Sequence, residues 1–155
     1  MGLILVGLQF TLLGFLVVAA LLAISQTDFL AFSGLALAFV GLPLVVSIAV
    51  GVMALMANRP GNFKIVPTPK LDGHLVTHGI YKFIRHPMYT SVLLLAASCA
   101  WLAGLVLGGF VWLIWVALFG VLLVKANVEE TSLLALYPEY ATYRAKTWRF
   151  VIGLF

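Results

Sequence analysis

The densest chemistry in the chain lies in residues 75–91, LVTHGIYKFIRHPMYTS. Arg85 offers a fixed guanidinium fork, His86 an imidazole that holds or passes a proton near neutral pH, and Tyr89 a phenolic donor. Pro87 suits the first turn of a helix, where its missing N–H costs nothing. Beyond a long apolar run come two adjacent carboxylates, Glu129 and Glu130. Together these residue types suit a polar cofactor, with a carboxylate to hold a cation or a ribose hydroxyl. His86 and Glu129 are the candidates to act in catalysis, because either can accept a proton from an acceptor. Each residue also has a plainer reading. His86 alone is a structural hydrogen-bonder, Glu129 an i, i+4 partner of Lys125 on a solvated helix, and Tyr81, Tyr89, Tyr140 and Tyr143 interface-belt aromatics. His74 and His78 share helical spacing, but Gly79 and the loop around them argue against a rigid metal site, and none is expected.

The elements that must position these groups are membrane helices. Of 155 residues, 64% are hydrophobic and only 9% charged, where soluble domains carry about 25% charged residues. Mean hydropathy is +1.17. The formal charge of +4 has no dense basic face behind it, which excludes a nucleic-acid partner. Cys99, the single cysteine, lies in an apolar run and reads as a small buried hydrophobe. The first residues, MGLILVGLQF, lack the basic n-region of a signal peptide, so the first apolar segment is expected to be retained as a span.

Four spans are expected, all-α, in one membrane domain over 1–155: about 3–24, 29–57, 88–106 and 110–127. Gln9 and Thr11 in the first read as helix–helix hydrogen-bonders, and Pro43 as a kink in the second. The uncharged run 88–124 would be about 55 Å long as one helix, too long for one crossing. Gly104, Gly108 and Gly109 therefore mark a hairpin, and Gly104-x-x-x-Gly108 also fits a close-packing motif. Residues 58–74 read as irregular loop. The segment 125–155, with Leu133, Leu134, Leu136, Tyr137, Tyr140, Tyr143 and Phe150 at mostly helical spacings, reads as an interfacial amphipathic helix broken near Pro138. The cofactor-site segments are 58–91 and 125–155.

Charge fixes the expected orientation. All nine basic residues (Arg59, Lys64, Lys70, Lys82, Arg85, Lys125, Arg144, Lys146, Arg149) fall on the side shared by the two termini and the middle loop, while the opposite turns carry only Asp28. By the positive-inside rule that side is cytoplasmic. A bacterial or archaeal inner (plasma) membrane is the expected location.

LVTHGIYKFIRHPMY, a hydrophobic hairpin, then VEETSLLALYPEYATYR resembles the isoprenylcysteine carboxyl methyltransferase family, whose wider group includes the membrane phospholipid N-methyltransferases. The shared pattern, LVTxGxYxxxRHPxY, then EExxL and YxxY, covers roughly residues 58–150 with order and separation kept. The resemblance implies a helical membrane methyltransferase that uses S-adenosyl-L-methionine without a Rossmann sheet. It implies that Gly73, His74, Leu75, Val76, Tyr81, Arg85, His86, Pro87, Met88 and Tyr89 line the cofactor site, with Glu129, and Glu130 beside it, at the cofactor's polar end. Lys125 falls where eukaryotic members carry a substrate-facing arginine, and it loses the bidentate recognition that arginine gives. The tail RFVIGLF lacks a proline common before the glycine, Lys146 replaces a frequent arginine, and extra N-terminal spans of eukaryotic members are missing. The cofactor assignment survives these departures; a prenylcysteine substrate does not. The implied partners are a lipophilic acceptor and membrane lipid.

Two other classes compete. A membrane sterol or ene reductase would use NADPH, and would want a basic cluster for its 2′-phosphate and a longer chain. A small non-enzymatic membrane protein would explain the spans but not the clustered motif, and a transporter would more often place an ionisable residue mid-span.

Overall fold

A computed structural model of the chain describes residues 1–27, 33–58 and 73–153. The turn carrying Asp28 and most of the 58–74 loop, with Arg59, Lys64 and Lys70, lie outside the described residues. Four helices are long and apolar enough to cross a membrane. They are α1 (Gly2–Gln26), α2 (Gly34–Ala57), α3 (Pro87–Leu107) and α4 (Val111–Leu136). A 3-10 turn, Gly79–Lys82, precedes α3, and a short helix α5 (Tyr140–Ala145) follows α4. The all-helical membrane architecture expected from the sequence is present, with no strand among the described residues. Helices α1 and α3 lie within a few residues of the expected spans; α2 is described from Gly34, the expected start at 29 lying outside the described residues, and α4 runs on to Leu136.

The starts and stops have local causes. Ser33 caps α2, its hydroxyl accepting from the Ala36 N–H at 3.2 Å. Pro87 occupies the first turn of α3. At the other end Gly108 takes φ +87, a conformation L-residues avoid, and its N–H bonds to the Gly104 carbonyl at 3.0 Å. Only Gly108, Gly109 and Phe110 separate α3 from α4. Helix α4 stops at Leu136 because Tyr137 precedes Pro138, which disfavours helical backbone; Tyr137 is extended at φ −122. The expected amphipathic segment is therefore three things: an extension of α4, the short α5 and a non-helical tail. Pro43 is accommodated inside α2.

Helix α3 is the hub, packed against α1, α2 and α4. Its Ala96, Ala100 and Ala103 are fully buried against Leu16 and Ala19 of α1 and Leu118 and Leu122 of α4. Small residues permit such close approach where lipid supplies no hydrophobic drive between helices. Ser47 and Ser91 tie α2 to α3 by donating to each other's backbone carbonyls at 2.7 and 2.9 Å. Cys99, half-buried, packs against the clusters on both sides of α3. Leu3, Ile4, Leu35, Leu42 and Met56 are among many exposed large apolar side chains on α1 and α2, the faces a bilayer covers. The start of α1, the end of α2, the start of α3 and the end of α4 share one end of the bundle, where the polar residues collect.

Candidate active site

A cleft opens at this polar end, between the approach to α3, the last turns of α4 and α5. Gly73, His74, Leu75 and Val76 line it from the non-helical stretch before the 3-10 turn, and Tyr81 from that turn itself. Arg85, His86, Pro87, Met88 and Tyr89 line it from the start of α3, and Glu129 from α4. Asn58, Leu133, Tyr137, Tyr140 and Tyr143 complete the wall. Leu133, Tyr140 and Tyr143 belong to the recognised motif yet were not expected as cleft residues. Asn58, read only as part of the 58–74 loop, and Tyr137, read only as part of the amphipathic segment, were not expected in the cleft either.

Gly79 sets the path of the chain into the cleft. Its φ of +59 is left-handed, and a Cβ there would stand 2.9 Å from the Ala57 Cβ at the end of α2. Only glycine meets both demands.

The two carboxylates part company. Glu129 is about one-third exposed and accepts a hydrogen bond from the Tyr89 hydroxyl at Oε2, 2.9 Å. Glu130 is 2% exposed and does not line the cleft. Its Oε1 accepts from Arg85 Nε, His86 Nε2 and Arg149 Nε, each at 3.1 Å. Its Oε2 accepts from Arg149 Nη2 at 3.0 Å, and Arg144 Nε lies 3.5 Å away. A buried carboxylate survives because cations surround it.

That ion cluster fastens the tail across the start of α3. The Arg85 and His86 backbone N–H groups donate to the Trp148 and Arg149 carbonyls at 2.8 and 3.1 Å, and the Trp148 N–H donates to Phe83 O at 2.9 Å. Ile84 and Trp148 form a parallel bridge. Arg85 Nη1 donates to the Arg144 and Thr147 carbonyls, and the buried Thr90 hydroxyl to Phe150 O at 2.8 Å. Residues 147–150 thus act as a strap. Arg85, expected as a cofactor donor, donates to Glu130 and to this strap.

His86, 6% exposed, sits between the two carboxylates. A carboxylate only accepts, so Nε2 carries the proton donated to Glu130. Nδ1 is left facing Glu129 Oε2 at 3.7 Å. The ring stacks on Tyr89, centroids 5.3 Å apart and 2° from parallel. Lys125 is 1% exposed and one turn of α4 before Glu129, deeper in the bundle. Its ammonium stands 5.2 Å from the Tyr89 ring centre and donates to Gln9 Oε1 of α1. It does not line the cleft as described.

The tyrosines hold their protons. Burial pushes the Tyr81 hydroxyl up to about 12; an Asn58 hydrogen bond opposes this and the Glu129 charge adds to it. Burial also raises Tyr140 and Tyr143. At neutral pH they are donors, and the Tyr143 hydroxyl donates to Tyr81 O at 2.7 Å. His86 and Glu129 stand side by side in the same wall, with Nδ1 and Oε2 3.7 Å apart. Among the described residues no group of three or more His, Cys, Asp or Glu converges on a metal position.

Comparison with curated proteins and with solved structures gives no match. The sequence model of one family, phospholipid methyltransferase, matches residues 30–140. That interval holds α2, α3, α4, the 3-10 turn and nearly all of the cleft-lining residues. A membrane-spanning bundle with its motif residues gathered at one polar end, matched over most of its length, belongs to the phospholipid methyltransferase family.

Proposed function

We propose that this membrane methyltransferase uses S-adenosyl-L-methionine and methylates a lipophilic small-molecule or lipid-linked acceptor, in the manner of the isoprenylcysteine carboxyl methyltransferases. The observation that carries the reading is the cleft itself. A carboxylate with a free oxygen edge, a histidine and a set of protonated tyrosines stand where three membrane helices end.

The donor set suits that cofactor. Its sulfonium, its ammonium and its ribose hydroxyls are all positive or donating, and Glu129 Oε1 makes no bond among the described residues. Tyr81, Tyr89 and the non-helical 73–76 backbone offer aromatic faces and peptide groups beside it. These residues, with His74, Pro87 and Met88, would hold the cofactor, which when bound supplies an activated methyl group for in-line displacement. Glu130 supports the site from behind, through His86 and Arg85.

The chain's part is positioning, exclusion of water and control of one proton. An anionic acceptor needs no base. A neutral oxygen, nitrogen or sulfur acceptor must lose a proton, and His86 Nδ1 would take it. The imidazolium so formed would lie between Glu129 and Glu130, which stabilise it. Lys125, at the bilayer side of Tyr89, would meet the acceptor's polar group.

Calorimetry in detergent with S-adenosyl-L-methionine and with NADPH tests the cofactor, and methyl-labelled cofactor with a total lipid extract tests the reaction. Binding of the first alone and label in a lipid product are expected. Binding of NADPH alone would replace this reading with the reductase. We also propose that both termini face the cytoplasm. Cysteines at Gly2 and Lys146 in a Cys99→Ala background should react with an impermeant maleimide from that side only, and reaction from the other side would invert the topology.

A further inference from the structure

Helix α1 lies outside the matched interval 30–140, yet it reaches the site. Gln9 is 7% exposed in a helix that carries no charge. A polar amide buried at membrane depth is costly unless it is hydrogen-bonded. Its Oε1 accepts from Lys125 Nζ at 2.5 Å. From there a chain of contacts leads to the cleft: the Lys125 ammonium lies 5.2 Å from the Tyr89 ring centre, and the Tyr89 hydroxyl donates to Glu129 at 2.9 Å. Gln9 stands about 10 Å along α1 from the polar end and Lys125 about 17 Å back from the end of α4, by the helical rise. Because α4 outruns the hydrocarbon thickness of about 30 Å, both groups sit just beneath the cleft on its bilayer side.

We infer that Gln9 is a positioning residue that holds the Lys125 ammonium under Tyr89, and that α1 is thereby part of the acceptor site. The inference rests on the methyl-transfer reading for its consequence. A lysine ammonium is compact, strongly hydrated and borne on a flexible stem. Near a membrane surface such a side chain reaches for the headgroup layer. A buried acceptor on α1 keeps it inside instead. Because the amide is neutral, it fixes the ammonium without cancelling its charge. The ammonium so held stands beside the Tyr89 ring, on the side from which an acceptor enters from the bilayer.

Gln9→Met keeps the length and apolar packing of the side chain and removes the oxygen. Labelling with a water-soluble amine reagent, read by mass spectrometry, reports where the ammonium sits, with Lys82 and Lys146 as internal controls. Lys125 should be protected in the wild type and react at least about tenfold faster in Gln9→Met, the loss expected for a hydrogen bond to a charged group, with the two controls unchanged. Equal Lys125 labelling in both proteins would overturn the assignment. So would a rise at all three lysines, which would mean that α1 merely holds the bundle together.

Kinetics with the lipid extract then test the acceptor role. Gln9→Met should raise the apparent KM for lipid about tenfold with little change in kcat or in cofactor affinity. In a Lys125→Met background the same change should have no further effect. Additive losses would show that Gln9 does not act through Lys125 and overturn the inference. A wild-type protein that transfers no label to any lipid would instead fail the methyl-transfer reading, and Lys125 labelling would still decide the positioning.

Discussion

Glu129 and Glu130 are neighbours in the chain, but one belongs to the wall of the cleft and the other to the anchor of the strap. Successive residues on a helix point about 100° apart, by 3.6 residues per turn. Glu129 faces the opening and has one oxygen engaged. Glu130 faces inward and gathers Arg85, His86, Arg144 and Arg149. The difference separates two tasks that a motif of paired acids merges, since one carboxylate lines the cleft and the other is consumed by the fold. His86 joins them, with Nε2 on Glu130 and Nδ1 toward Glu129.

The strongest way to break this comparison is Glu130→Ala. Removing one partner of a buried ion cluster leaves uncompensated cations and costs about 3–5 kcal/mol. The melting temperature in detergent should fall steeply, and limited proteolysis should cut within 147–153, while cofactor affinity per folded molecule falls less than in Glu129→Ala. A Glu130→Ala protein with unchanged melting and weakened cofactor binding would reverse the roles assigned to the two acids. Next comes Glu129→Ala, with the opposite signature. A lost charge-assisted bond to the cofactor costs on the order of 1.5–3 kcal/mol, about 10- to 150-fold in affinity, with melting nearly unchanged. Calorimetry on the folded variant decides it.

Smaller is Gly79→Ala, which tests the cleft wall where it meets α2. Left-handed backbone costs an L-residue roughly 1–2 kcal/mol, and here the new Cβ would also meet the Ala57 Cβ at 2.9 Å. Ala57 must give way, so both the melting temperature and cofactor affinity should drop, by less than the main effect of either acid. A variant with wild-type melting would show that the 3-10 turn can shift freely away from α2.

Much of this was legible in the sequence. Uncharged runs and Gly-Pro punctuation located the spans, because hydrocarbon thickness and backbone satisfaction leave few alternatives. The motif named eleven residues of the cleft, since helix ends and the connecting turn keep local sequence together in space. What stayed hidden depends on long-range pairing. Arg149 and Thr147 reach Arg85 and Glu130 across sequence gaps that no periodicity records. The inward turn of Glu130 depends on the rotation of α4, and two adjacent acids show no preference before packing fixes that rotation. Helix α4 continued to Leu136 because its last turns are held by Glu130 and the tyrosines rather than by lipid, so hydropathy ended it too early. Gln9 looked like any polar residue in a span until Lys125 was found against it.

The smallest expected effect concerns the tyrosine wall of the cleft. Tyr143→Phe removes one hydroxyl, which donates to Tyr81 O at 2.7 Å and so holds α5 against the 3-10 turn. A neutral hydrogen bond contributes about 0.5–1.5 kcal/mol, so cofactor affinity should fall only a few-fold, up to about tenfold. The alkaline behaviour is the sharper check. Burial lifts Tyr81 from its ordinary 10.0 to about 12. A raised value means that the folded protein keeps a proton the unfolded chain releases, so this stabilisation is complete below pH 10 and lost as pH climbs through about 12. Tyr143 is raised by burial in the same direction. Cofactor affinity should therefore be flat with respect to tyrosine ionisation from pH 7 to nearly pH 10, in the wild type and in Tyr143→Phe alike. An alkaline loss of affinity below pH 10 that vanishes in Tyr143→Phe would mean that this hydroxyl ionises in the working range. The wall would then share the proton chemistry proposed for His86.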